Sequence, residues 1–157
     1  MGIRVFIVDD HPMTRAGLLA TLEREADFEV VGTAADGIAA WNIIGEKVPD
    51  VALVDIRMPG EDGVSLVRRV KESGLPVRSL MLTSYDAQQY VMASLRAGAK
   101  GYILKTASPE ELARAIRTVA RGGVYLDAEV SRVGGGQEIV PETLSNRERE
   151  VLILTSK

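Results

Sequence analysis

The sequence predicts an α/β fold in which a doubly wound parallel five-stranded sheet carries helices on both faces. Two observations predict it. Short runs of β-branched and other apolar residues alternate strictly, five times, with longer segments of helical period. Several of the runs are apolar at nearly every position, as strands covered on both faces must be. Five strand–helix pairs in alternation then imply right-handed crossovers between neighbouring parallel strands.

The elements follow in order. Ile3 to Val8 (IRVFIV) reads as the first strand, and Pro12 to Glu23 as a helix with Ala16, Leu19 and Leu22 on one stripe. Phe28 to Gly32 (FEVVG) is the second strand, followed from about Gly37 by a helix bearing Ala40, Ile43 and Ile44. Val51 to Val54 (VALV) is the third strand. Pro59-Gly60 turns the chain sharply after it, and Asp62 caps a helix with Leu66, Val67 and Val70 on its inner side. Gly63, directly after that cap, allows close packing beneath the loop. Val77 to Leu82 (VRSLML) is the fourth strand, and Ala87 to Leu95 the next helix, stopped by Gly98. Gly101 to Leu104 (GYIL) is the fifth strand. The last helix, Ser108 to Ala120, has the clearest start: Ser108 as N-cap, Pro109 as first helical residue and Glu111 as capping-box partner. Leu112, Ala115, Ile116, Val119 and Ala120 form its buried face. Trp41 and Met81 read as core or helix-face residues.

Composition narrows the function classes. The 157 residues are 46% apolar and 26% charged, with a net charge of −3, which suits a soluble globular protein and not a strongly basic nucleic-acid surface. There is no cysteine, and hence no disulfide, thiolate metal site or cysteine nucleophile. No signal peptide and no run of about 20 apolar residues is present, so the expected location is the cytoplasm, away from membranes.

Polar residues interrupt the apolar runs at telling places. The first strand ends in Asp9-Asp10, the third in Asp55, the fourth in Thr83-Ser84 and the fifth in Lys105. In an open parallel sheet, the carboxyl ends of the strands converge on one edge where ligands bind. Three carboxylates, a hydroxyl and an ammonium therefore meet in one crevice. Carboxylates crowded this way repel, and a hard divalent cation resolves the conflict. Oxygen ligands select Mg²⁺ over zinc. With the charge neutralised, one carboxylate can attack phosphorus in line, while metal and lysine stabilise the equatorial oxygens and the hydroxyl binds the product. His11, the single histidine, reads as a residue at the start of a helix in preference to a metal ligand.

VDDHP at 8–12, DIRMPGEDG at 55–63, TSY at 83–85 and KGYILK at 100–105 together resemble a receiver domain of two-component signalling, of the NarL/FixJ type. The resemblance covers about 120 residues. It implies a flavodoxin-like receiver fold with strand order 2-1-3-4-5 and no enzymatic turnover beyond the domain's own phosphotransfer and autodephosphorylation. It further implies that Asp55 accepts the phosphoryl group and that Asp10, Asp55 and the backbone carbonyl of Arg57 bind Mg²⁺, with Asp9 supporting through water. Lys105 would pair with the phosphoryl oxygens. Thr83 and Tyr102 would be the switch residues, the hydroxyl drawn to the phosphate and the ring rotating inward. Arg57 and Tyr85 would flank the phosphoryl group and tune its lifetime. Many relatives carry proline after the lysine, often with a cis bond. Thr106 stands there in this chain, and a non-proline cis bond costs roughly 3 kcal/mol.

Leu144 to Leu152 (LSNREREVL) resembles the opening of a LuxR-type helix-turn-helix domain, with Ser145 and Glu148 as a capping box. Three parts are thus expected: a receiver domain over 1–121, a linker over 122–143 rich in glycine, and the start of a DNA-binding domain over 144–157. The resemblance implies a transcription regulator that takes its phosphoryl group from a sensor histidine kinase, forms a homodimer on phosphorylation and binds DNA through the domain begun at Leu144. Three other functions are weaker. A haloacid-dehalogenase-type hydrolase wants an aspartate where Arg57 stands, a nucleotide-binding enzyme wants a glycine-rich loop where DDHP stands, and a vestigial interaction module would not need the full residue set.

Overall fold

The structure is a computed structural model that describes residues 2–58, 62–84 and 89–127. Its elements are β1 (Ile3–Val8), α1 (Pro12–Glu23), β2 (Phe28–Ala34), α2 (Gly37–Lys47), β3 (Val51–Asp55), α3 (Gly63–Ser73), β4 (Arg78–Thr83), α4 (Val91–Ala97), β5 (Gly101–Leu104), α5 (Pro109–Ala120) and β6 (Tyr125–Leu126). The sheet runs β2-β1-β3-β4-β5-β6 and every neighbouring pair is parallel. The expected order 2-1-3-4-5 is borne out, with one addition at the edge. Tyr125 and Leu126 lie inside the stretch expected to be linker, yet they pair with Gly101 and Tyr102 as a sixth strand.

Strand residues alternate between two cores, which explains why the runs are apolar throughout. Val5, Ile7, Leu53, Leu80, Leu82 and Ile103 face one side, where Leu22 of α1 and Leu112, Ile116 and Val119 of α5 cover them. Phe6, Val8, Ala52, Val54, Met81 and Tyr102 face the other, under α2, α3 and α4. Burying both faces of a small sheet removes most of its apolar surface from water, the dominant stabilising contribution.

The caps follow the local chemistry. Ser108 accepts from the amide of Glu111 at 3.1 Å and Asp62 from that of Ser65 at 2.9 Å, as the sequence predicts. Asp36 does the same for α2, accepting from the amide of Ala39 at 2.8 Å. The far end of α2 is held differently. Val48 takes a left-handed φ of 44°, costly for a β-branched residue, and Arg4 donates to the carbonyls of Lys47 and Val48 at 2.7 and 2.8 Å. On the opposite face Arg117 of α5 clamps the loop before β2, bonding Asp27 through two nitrogens at 2.8 and 2.9 Å and Glu25 at 2.8 Å.

The expected helix from Ala87 begins later among the described residues, at Val91, and Gly98 ends it with a φ of 120°. The expectations for Pro59-Gly60, Tyr85 and Leu144 to Leu152 lie outside the described residues, as does the linker beyond Asp127.

Candidate functional site

Each predicted strand-end residue sits where its strand runs out, because ladder bonds continue just past the regular pairing. The amide of Asp9 donates to Ala34 at 3.1 Å, that of Ile56 to Leu82 at 3.1 Å, and that of Lys105 to Thr83 at 2.9 Å. These bonds hold the first, third and fifth strand ends at one level of the sheet. Gly63 then brings α3 against the loop after Asp55. Its amide donates to the Ile56 carbonyl at 2.9 Å, and a Cβ at this position would collide with the Asp55 carbonyl oxygen.

The side chains converge as expected. Lys105 Nζ donates to Asp55 Oδ2 at 3.0 Å and lies 3.4 Å from Asp9 Oδ2. Arg57 donates its amide to Asp55 Oδ1 at 3.3 Å. Asp9, Asp10, His11 and Asp55 each offer a ligand atom within 4.8 Å of the others. Around them lies a crevice of about 580 Å³ lined by Asp10, His11, Asp55, Arg57, Tyr90 and Lys105, among others. Thr83 is buried beside it, its hydroxyl donating to the Ser84 carbonyl at 3.1 Å. Tyr102 is fully buried in the core under α4. No cis peptide occurs among the described residues, so Lys105–Thr106 is trans.

Electrostatics mark Asp55 as a carboxylate held against its preference. Burial is the largest influence and raises its pKa, Asp9 raises it further, and the Lys105 ammonium opposes both without cancelling them. Lys105 is also shifted up. Burial alone would lower it, but the hydrogen bond to Asp55 and the charges of Asp55 and Asp9 outweigh that effect. One lysine thus offsets only part of the negative charge. Asp9 is 0% exposed, yet its Oδ2 accepts no hydrogen bond, and Asp10 Oδ1 is likewise buried and unbonded. Buried carboxylate oxygens left this way are costly, and a divalent cation between them would remove the cost. The residues present therefore fit Mg²⁺: hard oxygen donors, excess negative charge, and two buried oxygens that accept no hydrogen bond, with Lys105 3.4 Å from the first and the His11 ring 3.2 Å from the second.

The sequence reasoning missed several contributors. Tyr90, at the start of α4, lines the crevice with Ile56, Met58, Asp62 and Ser84. Arg15 of α1 donates to the Asp9 carbonyl at 2.7 Å and steadies the first strand end. An arginine one turn into a helix looks like any solvent-facing cation, so no local signal marks it. Tyr90 reads as one more position in a helical pattern. Asp62 and Ser84 carried a signal, since they neighbour the strand-end motifs.

A doubly wound parallel sheet whose carboxyl edge gathers three aspartates and a lysine defines a class of signalling domain. The chain belongs to the response regulator receiver domain family, which matches residues 5–117. It is 39% identical over 169 aligned residues to the oxygen regulatory protein NreC of Staphylococcus carnosus (strain TM300), covering 99% of this chain and 77% of that protein. The signal receiver domain of the response regulator NarL from Mycobacterium tuberculosis is similar in structure, with a TM-score of 0.74 and 39% identity over 77% of this chain and 98% of that one. A LuxR-family two-component response regulator from Aurantimonas sp. SI85-9A1 superposes with a TM-score of 0.78 at 30% identity, covering 84% of this chain and 94% of that one. The chain is thus a receiver domain homologous to two-component transcription regulators. No helix among the described residues is long and apolar enough to cross a membrane.

Proposed function

We propose that Asp55 accepts a phosphoryl group from a phosphohistidine of a sensor kinase. The observation that carries this reading is the pairing of a buried carboxylate with a half-buried ammonium, Asp55 Oδ2 to Lys105 Nζ at 3.0 Å, beside the unbonded oxygens of Asp9 and Asp10. In the transfer a P–O bond forms to an Asp55 oxygen as the P–N bond to the donor imidazole breaks. Lys105 moves from the carboxylate to the incoming phosphoryl oxygens and stabilises their charge. Asp10, Asp55 and the Arg57 carbonyl would hold Mg²⁺, with Asp9 behind them through water. When bound, the ion neutralises the carboxylates and draws charge from the phosphoryl oxygens.

The output follows from the same geometry. Thr83 would exchange its bond to the Ser84 carbonyl for one to the phosphoryl group, and Tyr102, on the adjacent strand, would hold the packing that this exchange selects. Arg57 and Tyr85 would govern access of water to the acyl phosphate, and hence its lifetime and autodephosphorylation. Dimerisation and DNA binding through the domain begun at Leu144 would complete the pathway in the cytoplasm. Parts 1–121, 122–143 and 144–157 remain the proposed division, with β6 drawn from the second part onto the receiver sheet.

The test is to incubate the chain with a small acyl phosphate and Mg²⁺ and follow its intact mass. A hydroxylamine-labile phosphoryl adduct in wild type, lost in Asp55→Asn, is the expected outcome. Free phosphate released with turnover and no adduct would instead indicate a hydrolase, and no reaction a vestigial site.

A further inference from the structure

We propose that Asp127, which lies beyond α5, is a positioning residue for Lys105 in phosphoryl transfer to Asp55. This rests on the reading of Asp55 as the phosphoryl acceptor and adds a residue, outside the strand-end set, on which its reactivity depends.

β6 is only two residues long, and its main-chain pairing with β5 ends at Leu126, opposite Tyr102. Past that pair the outer edge of β5 still presents the amide of Leu104. Asp127 meets it with its side chain, Oδ2 accepting from the Leu104 amide at 3.0 Å in a buried bond. A carboxylate at the edge of a sheet ordinarily faces water, whereas Asp127 is 7% exposed. Taking a carboxylate out of water is costly, and the bond to the amide offsets part of that cost. An edge left open to water would carry no such cost, so what the inward carboxylate holds in place matters.

It holds the end of β5 where Lys105 leaves the sheet. On the inner edge Leu104 pairs with Thr83 of β4, and the Lys105 amide donates to the Thr83 carbonyl at 2.9 Å. The Leu104 carbonyl accepts from the amide of Ala107 at 3.0 Å. The backbone that carries Lys105 is thus gripped from both sides, by β4 within the sheet and by Asp127 outside it. From this base the side chain must bring Nζ to 3.0 Å from Asp55 Oδ2 and 3.4 Å from Asp9 Oδ2. A lysine stem is long and flexible, so its anchor decides how well the ammonium is placed. Misplacing a reacting group by about 1 Å can cost about 100-fold in rate. Asp127 does not line the crevice, so its action runs through the β5 backbone.

The experiment uses the full chain with acetyl phosphate and Mg²⁺. The rate of mass gain at Asp55 is followed in wild type, Asp127→Ala, Asp127→Asn, Lys105→Ala and the double variant of Asp127→Ala with Lys105→Ala, and circular dichroism checks each fold at the assay temperature. Asp127→Ala should slow uptake by about tenfold. Asp127→Asn, which keeps a carbonyl oxygen for the Leu104 amide, should recover most of the rate. In the Lys105→Ala background the Asp127→Ala change should matter by at most about twofold, because no ammonium is left to misplace. A merely structural bond would slow both backgrounds by the same factor, and that result overturns the proposal. A wild-type rate in Asp127→Ala, or an asparagine variant as slow as the alanine one, overturns it too. Each of these leaves Asp55 standing as acceptor. Should Asp127→Ala not fold, Asp127→Ser, one bond too short to reach the amide, takes its place with the same outcomes. Absence of any adduct on wild type overturns the reading of Asp55, and the inference with it.

Discussion

Lys105 sits at the residue scale of the mechanism, and its two roles pull in opposite directions. Its ammonium bonds Asp55 at 3.0 Å and lies 3.4 Å from Asp9, so it competes with any metal ion for the same carboxylates. It is also the one side-chain cation facing Asp55 among the contacts described, placed to meet charge as it develops on phosphorus. Lys105→Ala should therefore separate the two. Phosphoryl uptake from a small acyl phosphate should slow by about 100-fold, the usual cost of losing one preorganised charge stabiliser. Mg²⁺ should bind more tightly, because a positive neighbour has gone. Rates followed by intact mass and affinities by calorimetry check both halves. Weaker Mg²⁺ binding in the variant would show that Lys105 organises the crevice and does not compete within it.

At the scale of single elements, β6 depends on one glycine. Gly101 pairs with Tyr125, and a Cβ at Gly101 would collide with the Tyr125 carbonyl oxygen, an atom that cannot yield unless the strand moves. Beyond the pair, Asp127 accepts from the amide of Leu104 at 3.0 Å, directly before Lys105. Gly101→Ala should cost roughly 1–3 kcal/mol through this clash. The amides of Tyr125 and Leu104 should lose hydrogen-exchange protection while those of β1 and β3 keep theirs. Retained protection at Tyr125 would mean that β6 tolerates the methyl group. Gly63→Ala should act on the site in the same way. It would push α3 from the Asp55 carbonyl and impair labelling at Asp55 with the core elements still formed, as mass labelling alongside circular dichroism would show. These cases also mark where the sequence stops being readable. Five strands and their helices were legible because both sheet faces are buried, which leaves continuous apolar runs such as IRVFIV and VALV. Asp9, Asp55 and Lys105 were legible because they break those runs at the strand ends. Tyr125-Leu126 sits in a run of only three apolar residues, Val124 to Leu126, between Gly123 and Asp127. Its strand exists through a glycine 24 residues earlier in the chain and a carboxylate bond to β5, both tertiary facts. The bond from Arg15 to the Asp9 carbonyl is hidden for the same reason.

For the molecule as a whole, the crevice costs stability that binding can return. The raised pKa of Asp55 means that the folded chain holds that proton more tightly than the unfolded chain does. The contribution of this group to stability is therefore greatest below the ordinary aspartate pKa of 3.8, and it falls as pH rises towards the higher folded value. At neutral pH the full cost of ionising a buried carboxylate is present. Lys105 behaves in the ordinary way for a paired cation. Its folded pKa is raised, so its contribution persists to alkaline pH and is lost only beyond 10.5. Asparagine resembles protonated aspartate, so metal-free Asp55→Asn should unfold at a higher temperature than wild type at pH 7. The gap should close as pH falls through 3.8, and comparing the two proteins at each pH cancels the other titrating groups. Mg²⁺ should then reverse the order. At about 100 times its Kd, an ion that binds only the folded chain adds about 2.7 kcal/mol, and wild type should gain this where the variant gains less. Thermal unfolding of both proteins across pH, with and without Mg²⁺, measures all of this. A metal-free variant less stable than wild type at pH 7 would show that the Lys105 pairing outweighs the burial of Asp55.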